Sequence, residues 1–273
     1  MFQANVALGK KLKVSSWRKT AFGSWRSTQD SQVYCLQTIN VESALNFANK
    51  NGFSLTHLVA QACARMIEAN PEINTLIRFG NFYPRLETSI FFQVALDKKG
   101  KDLSGHVIRN IDKLNLKEIR ADLSGAANKI KAGDDIHYKK VKKQMNFIPT
   151  IMLPSIIDLL GFLLYKLNIW TKLLGTPKDS FGSMMITNIG SLGMQRAYVP
   201  LVAYSHCPLI LAMGKVYERV GVKNGEPCVE KVMDCCWTLD HRVLDGVVGS
   251  KMAKRFEEYF LNLEFEKECS TNT

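Results

Sequence analysis

The chain reads as a mixed α/β fold, and three observations predict it. "SQVYCLQTINV" alternates apolar and polar residues as a half-buried strand does. Leu55, Leu58, Val59, Ala62, Met66 and Ile67 recur at helical spacing and stop at Pro71. Near the C-terminus, two long β-rich runs flank Asn224 and Gly225, and Val247 to Leu263 then returns to a helical pattern. No internal repeat and no linker rich in Pro, Gly or Ser separates these patterns, so one domain spanning 1–273 is expected.

Each element has a local reason. Ser54 suits the N-cap of the helix from Leu55 to Asn70, because its side-chain oxygen can accept an orphan backbone N–H. "NFYPRLETSIFFQVALDKKG" predicts two strands with a turn near Pro84. "NLKEIRADLSGAANKIKAG" predicts a polar amphipathic helix ending near Gly133. The basic run "YKKVKKQ" leads into a strongly apolar stretch that predicts one or two amphipathic helices from Pro154. Asp158 and Lys166 interrupt that stretch, so no run reaches the ~18 apolar residues of a spanning helix. "DSFGSMMITNIGSLGM" predicts strand, glycine loop, strand. "PLILAMGKVYERVGVKNGEPCVEKVMDCCWTLDH" predicts strands joined by the Asn-Gly turn, and the polar tail "EKECSTNT" is expected to fray.

Composition narrows the function classes. A net charge of +11 favours an anionic partner such as a phosphorylated cofactor, a nucleic acid or an anionic membrane surface. The basic residues are dispersed and no nucleic-acid motif is present, so no nucleic-acid partner is expected. Seven cysteines without C-x-x-C spacing fit a reduced compartment and exclude a zinc-finger pattern. "MFQANVALGKKLKV" lacks a secretory apolar run, so a cytoplasmic location is expected, with the insertion described below allowing a peripheral membrane position.

The densest chemistry lies in "TLDHRVLDG". His241 sits where a strand ends and a helix begins, which presents a side chain to a cleft. A neutral imidazole there can take a proton from a thiol or alcohol near neutral pH. Asp245 lies at the predicted helix start, where the dipole stabilises a carboxylate, and Gly246 lets the backbone turn. On spacing alone, a structural histidine explains His241 as well as a catalytic base does. A metal role is weaker, because His57, His106, His137 and His206 are scattered, so no metal site is expected.

"TLDHRVLDG" resembles the D-H-R-x-x-D-G signature of the 2-oxoacid dehydrogenase acyltransferases (the E2 catalytic domains), with Asp240, His241, Arg242, Asp245 and Gly246 at every fixed position. "ITNIGSLG" is similar to the Ser-Asn-x-Gly loop of that family, with Thr187 at the hydroxyl position. "LTHLVAQACARMIEANPEIN" looks like its first long helix, and "GHVIRNIDKLNLKEIRADLSGAANKIKAG" like the stretch after its central strands. "SSWRKTAF" is similar to a stretch near the start of chloramphenicol acetyltransferase, which shares the fold.

The resemblance implies a chloramphenicol acetyltransferase-like mixed sheet with flanking helices, in a homotrimer or larger trimer-based assembly. It implies coenzyme A, as acyl-CoA, and a dihydrolipoyl arm entering a channel between subunits from opposite sides. His241 would be the general base, and Thr187 of a facing copy the oxyanion donor. Asp245 would pair with an arginine, Arg18 by position, while Asn188 and Gly190 would belong to the substrate-binding loop. The expected activity is acyl transfer between coenzyme A and a thiol or other nucleophile. The alternative is a non-catalytic assembly or membrane-associated protein that keeps the fold.

Two departures from the family pattern stand out. No lipoyl domain or Ala/Pro-rich linker precedes the core in this sequence, so no covalent lipoyl group is expected on the chain and a lipoyl-bearing protein would be a partner. The second is an apolar insertion at about 139–178. It admits three readings: an extra helical hairpin packed on the core, a membrane-surface or partner-binding element, or a cap on the lipoyl side of the channel. Lys139, Lys140, Lys142 and Lys143 beside an apolar stretch containing Trp170 suit an interfacial helix.

Overall fold

A computed structural model describes residues 31–95, 103–131, 148–171 and 176–270. Six strands form one mixed sheet in the order β1-β8-β7-β6-β4-β5. They are β1 (Gln32–Asn40), β4 (Ile90–Ala95), β5 (Leu103–Ile108), β6 (Met184–Asn188), β7 (Leu209–Lys223) and β8 (Glu226–Asp240). The central β4, β6 and β7 run parallel, while β5, β8 and β1 pair antiparallel to their neighbours. A separate hairpin joins β2 (Thr75–Arg78) to β3 (Asn81–Pro84).

The Asn-Gly turn behaves as its residues dictate. Asn224 and Gly225 both take positive φ, 54° and 86°, and close the β7–β8 hairpin between Lys223 and Glu226.

Helices α1 (Glu42–Asn51), α2 (Leu55–Ala69), α3 (Leu116–Lys131), α5 (Gly246–Leu261) and α6 (Glu264–Ser270) accompany the sheet. Trp237 of β8 meets Phe256 of α5 edge-on, with ring centroids 5.0 Å apart. That contact marks the helix-covered face of the sheet. The predicted helix at 55–70 forms as α2, but it has no solvent face in its middle: every residue from Leu58 to Ala64 is buried. Its small residues, Ala60, Ala62, Cys63 and Ala64, are what allow burial on all sides.

Three expectations need correction. The glycine loop after β6 leads into a 3-10 turn, Gly190–Leu192, and not into a second strand. The segment that follows crosses over the sheet, where Gln195 and Arg196 bond the buried Asp234. The first part of the polar tail, 266–270, does not fray but forms the end of α6, where Glu268 pairs with Arg65 at 2.7 Å, while 271–273 lie outside the described residues. The hairpin strand β2 also escaped the sequence pattern, since its four residues are too short to show alternation.

The insertion at about 139–178 is described from 148 to 171 and from 176. It forms α4 (Leu153–Gly161) and continues as a π-helical turn, Phe162–Lys166. Leu153, Ile157, Gly161 and Tyr165 turn inward, and Gly161 packs against Tyr204. The lysine run 139–143 lies outside the described residues.

Candidate active site

His241 begins the turn between β8 and α5. Its backbone N–H donates to the Ser31 carbonyl at 2.6 Å, which ties the turn to the start of β1. Its neighbours in the chain clamp one another. The Arg242 guanidinium donates from Nε and Nη2 to the Asp240 carboxylate, at 2.9 and 2.6 Å. Burial opposes charge on Asp240, but the Arg242 bonds overcome it and hold the carboxyl below its usual range.

The imidazole is oriented by the backbone. His241 Nδ1 lies 3.0 Å from the Leu244 carbonyl oxygen. A carbonyl only accepts, so Nδ1 carries the hydrogen, and Nε2 keeps its lone pair in the neutral ring. Among the described residues Nε2 has no hydrogen-bond partner. Leu244 has a buried side chain that fixes the turn, yet its contribution here is a main-chain oxygen. No side-chain pattern could have pointed to it.

Asp245 is the N-cap of α5, in extended conformation, and its Oδ1 accepts from the N–H groups of Val247 and Val248 at 2.9 Å each. The helix start therefore locks the turn that carries His241. Arg18, the expected partner of Asp245, lies outside the described residues. The pocket beside His241 measures about 510 Å³. Val33, Cys35, Trp237, Leu239, Met252 and Ala253 are among its walls, so it is an apolar slot between β1, β8 and α5. The walls supplied by β1 were not foreseen, because only sheet pairing places Val33 and Cys35 opposite Leu239 and Trp237.

Thr187 is placed elsewhere. It sits on β6 between Gln93 of β4 and Ala212 of β7, and Ala212 in turn faces Cys236 of β8. Trp237 points at the helices, so Cys236, Ala212 and Thr187 belong to the opposite face. From the level of Cys236 to His241 is about five residue steps of ~3.3 Å along the strand, with two strand spacings across. One chain thus holds the two expected catalytic groups on opposite faces of its sheet, roughly 20 Å apart.

Asn188 has structural work. Its Nδ2 donates to the Thr56 hydroxyl at 3.1 Å, and its Oδ1 accepts from Ser191 N–H at 3.0 Å. It pins the glycine loop to the start of α2. Gly190 lies against β7: a Cβ there would stand 2.6 Å from the Gly214 carbonyl oxygen, so close backbone approach requires glycine. Asn188 also lines a second pocket of about 340 Å³, with Thr56, His57 and Gln93.

The other histidines are engaged in ways that do not suit a base. Burial, aided by Lys166, Arg85 and Arg242, pushes His206 down to about 4, and its ring lies 5.0 Å from that of Tyr165. His57 Nδ1 accepts from the Ser54 N–H at 3.0 Å, closing the start of α2. His106 pairs with Asp122, and His137 lies outside the described residues. Among the described residues, no group of three His, Cys, Asp or Glu could hold a metal ion.

Comparison with known proteins finds the same resemblance. Residues 176–265, which contain both motifs, match the catalytic-domain model of the 2-oxoacid dehydrogenase acyltransferases. That third of the chain carries the family's catalytic-domain pattern. The lipoamide acyltransferase component of the branched-chain α-keto acid dehydrogenase complex of Bacillus subtilis is 20% identical over 96% of this chain and 55% of its own length. The dihydrolipoyllysine-residue acetyltransferase component of the pyruvate dehydrogenase complex of Rhizobium meliloti is 32% identical over 81 residues, which is 30% of this chain and 18% of its own. The chain thus spans at most about half the length of these relatives.

Solved acyltransferase structures share the fold. A probable dihydrolipoamide acetyltransferase from Listeria monocytogenes superposes with a TM-score of 0.65 at 16% identity, over 93% of this chain and 95% of its own. The dihydrolipoamide acetyltransferase of Azotobacter vinelandii, studied for a serine, a histidine and an asparagine in its catalytic mechanism, gives 0.62 at 14% identity, over 95% and 94%. A chloramphenicol acetyltransferase gives 0.50 at 14% identity, over 91% and 96%. The fold is therefore the chloramphenicol acetyltransferase-like mixed sheet with flanking helices that the resemblance implied.

Proposed function

We propose that the protein is a coenzyme A-dependent acyltransferase that moves an acyl group between coenzyme A and a thiol, and that its active site is completed by a second copy of the chain. The observation that carries this reading is the His241 imidazole, held by the Leu244 carbonyl with Nε2 left basic beside an apolar pocket. His241 takes the thiol proton as the sulfur attacks the acyl carbonyl. A hydroxyl donates to the oxyanion that forms. Collapse breaks the bond to the other sulfur, which leaves as a thiolate and takes the proton from the His241 imidazolium.

Thr187 of a facing copy is the hydroxyl that this scheme uses. The face that bears Thr187 also leaves Tyr34, Leu36, Met194 and Tyr198 substantially exposed, which suits burial against another subunit. A trimer satisfies a head-to-tail pairing of this kind, because the same contact closes after three copies. The histidine and asparagine studied in the Azotobacter enzyme are four residues apart, the spacing of His241 and Asp245 here. A dihydrolipoyl group on a separate protein is the acceptor this proposal names. A reducing, cytoplasmic setting belongs to it as well, supported by seven unbridged cysteines.

The test is transfer from a series of acyl-CoA thioesters to dihydrolipoamide. We expect turnover by the wild-type protein, reduced about 10²–10⁴-fold by His241→Ala. Equal rates in the two proteins would refute the assignment.

A further inference from the structure

We propose that Gln93 is a second hydrogen-bond donor to the reaction's oxyanion, acting beside Thr187 of the same copy; this rests on the reading of Thr187 as the first donor. Gln93 of β4 and Thr187 of β6 are direct partners in a parallel ladder. Side chains paired in this way leave the same face of a sheet, on strands about 4.8 Å apart. The row runs from Gly105 of β5 through Gln93, Thr187 and Ala212 to Cys236 and Leu36. Gln93 and Thr187 are the members of that row whose side chains carry an amide or a hydroxyl.

Neither group is engaged by the fold. Among the described residues, the Gln93 amide and the Thr187 hydroxyl have no hydrogen-bond partner. Both residues are half-buried. An unpaired polar group in such a place costs free energy unless something else satisfies it. Phe91 closes the β5 flank of Gln93. Its ring lies over Gly105, in the space that a Cβ there would fill, and stands 5.2 Å from the ring of Phe181. The flank of Gln93 left open is the one towards Thr187.

The chemistry has a use for the pair. A tetrahedral oxyanion accepts more than one hydrogen bond, and a single hydroxyl donates only one. A glutamine amide reaches further from the sheet than a threonine hydroxyl does. Gln93 Nε2–H and the Thr187 hydroxyl can therefore converge on one oxygen above Thr187. As the thiolate sulfur bonds to the acyl carbon, the carbonyl π pair moves onto that oxygen. Both donors hold the charge there and neither gives up its proton. When the pair returns, the bond to the leaving sulfur breaks and the neutral carbonyl re-forms. A donor used in this way lowers the barrier and adds little to ground-state binding.

The test is steady-state transfer from acetyl-CoA and longer acyl-CoA thioesters to dihydrolipoamide, with Thr187→Ala measured alongside. Gln93→Met keeps the shape and removes the donor. It should lower kcat by at least about tenfold, as loss of one oxyanion donor does, with KM changed by less than about threefold. The melting temperature should stay that of the wild type. Gln93→Glu, a carboxylate at neutral pH, repels the developing charge and should lose more than Gln93→Met. A kcat within twofold of wild type in Gln93→Met, while Thr187→Ala is strongly impaired, would overturn this proposal and leave the Thr187 reading standing. So would a loss confined to KM, or a Gln93→Glu variant at least as fast as Gln93→Met. A Thr187→Ala variant within twofold of wild type would remove the Thr187 reading and this proposal with it.

Discussion

His241 Nδ1 stands 3.0 Å from the carbonyl oxygen of Leu244, three residues further along the same turn. This contact assigns the neutral tautomer: hydrogen on Nδ1, lone pair on Nε2. Nitrogen-detected NMR of the labelled protein, above the histidine titration, should show His241 as the Nδ1–H form. The Nε2–H form would remove the imidazole from the base role, since its lone pair would then face the backbone oxygen.

Asp245 governs the same turn through the helix start. Asp245→Ala removes both cap bonds to Val247 and Val248 and should cost about 1 kcal/mol in denaturant unfolding. Asp245→Asn retains a capping oxygen and should cost only a few tenths. If the cap positions the base, the Ala variant should also lose at least tenfold in transfer rate under conditions where it is fully folded, and the Asn variant much less.

The separation of Thr187 and His241 within one chain makes a complementation experiment decisive. Thr187→Ala alone should lose about 10²–10³ in rate, as one missing oxyanion donor does. Mixing unfolded Thr187→Ala with His241→Ala and refolding them together should restore activity. Random assembly leaves roughly a quarter of the contacts with both groups intact. Recovery no greater than the sum of the two variants would place the whole site in one chain.

A fourth prediction concerns acid stability. Asp234 is fully buried and accepts from Thr38 at 2.6 Å, Arg196 at 2.5 Å, Tyr217 at 3.1 Å and Gln195 at 3.3 Å. Burial opposes its charge, but these donors prevail and hold the carboxyl below the ordinary range. A depressed folded value means the contribution is complete above the unfolded value near ~3.9 and is lost as pH falls through the folded one. Asp234→Asn should therefore cost about 2 kcal/mol at neutral pH. The gap between variant and wild type in urea unfolding should narrow below about pH 4. A gap independent of pH would mean that charge plays no part.

The sequence by itself determined what lies within a few residues. The Asn224-Gly225 turn, the period of α2 and the D-H-R-x-x-D-G run each depend on neighbours in the chain, so their residues announced the β7–β8 hairpin, the helix and the turn bearing His241. Even the cap role of Asp245 is local, since it bonds residues two and three positions away. Tertiary structure decided everything that required distant strands to meet. Parallel pairing of β4 with β6 and of β6 with β7 set the face on which Thr187 lies, and a shift of one residue would have reversed it. Packing of α2 among the other helices buried it on every side, and the meeting of Phe79 with Phe162 made one surface from segments about 80 residues apart. The physical reason is that residue patterns encode period and turn geometry directly. Which side chains share a face or a pocket is settled only when the sheet chooses its partners and register.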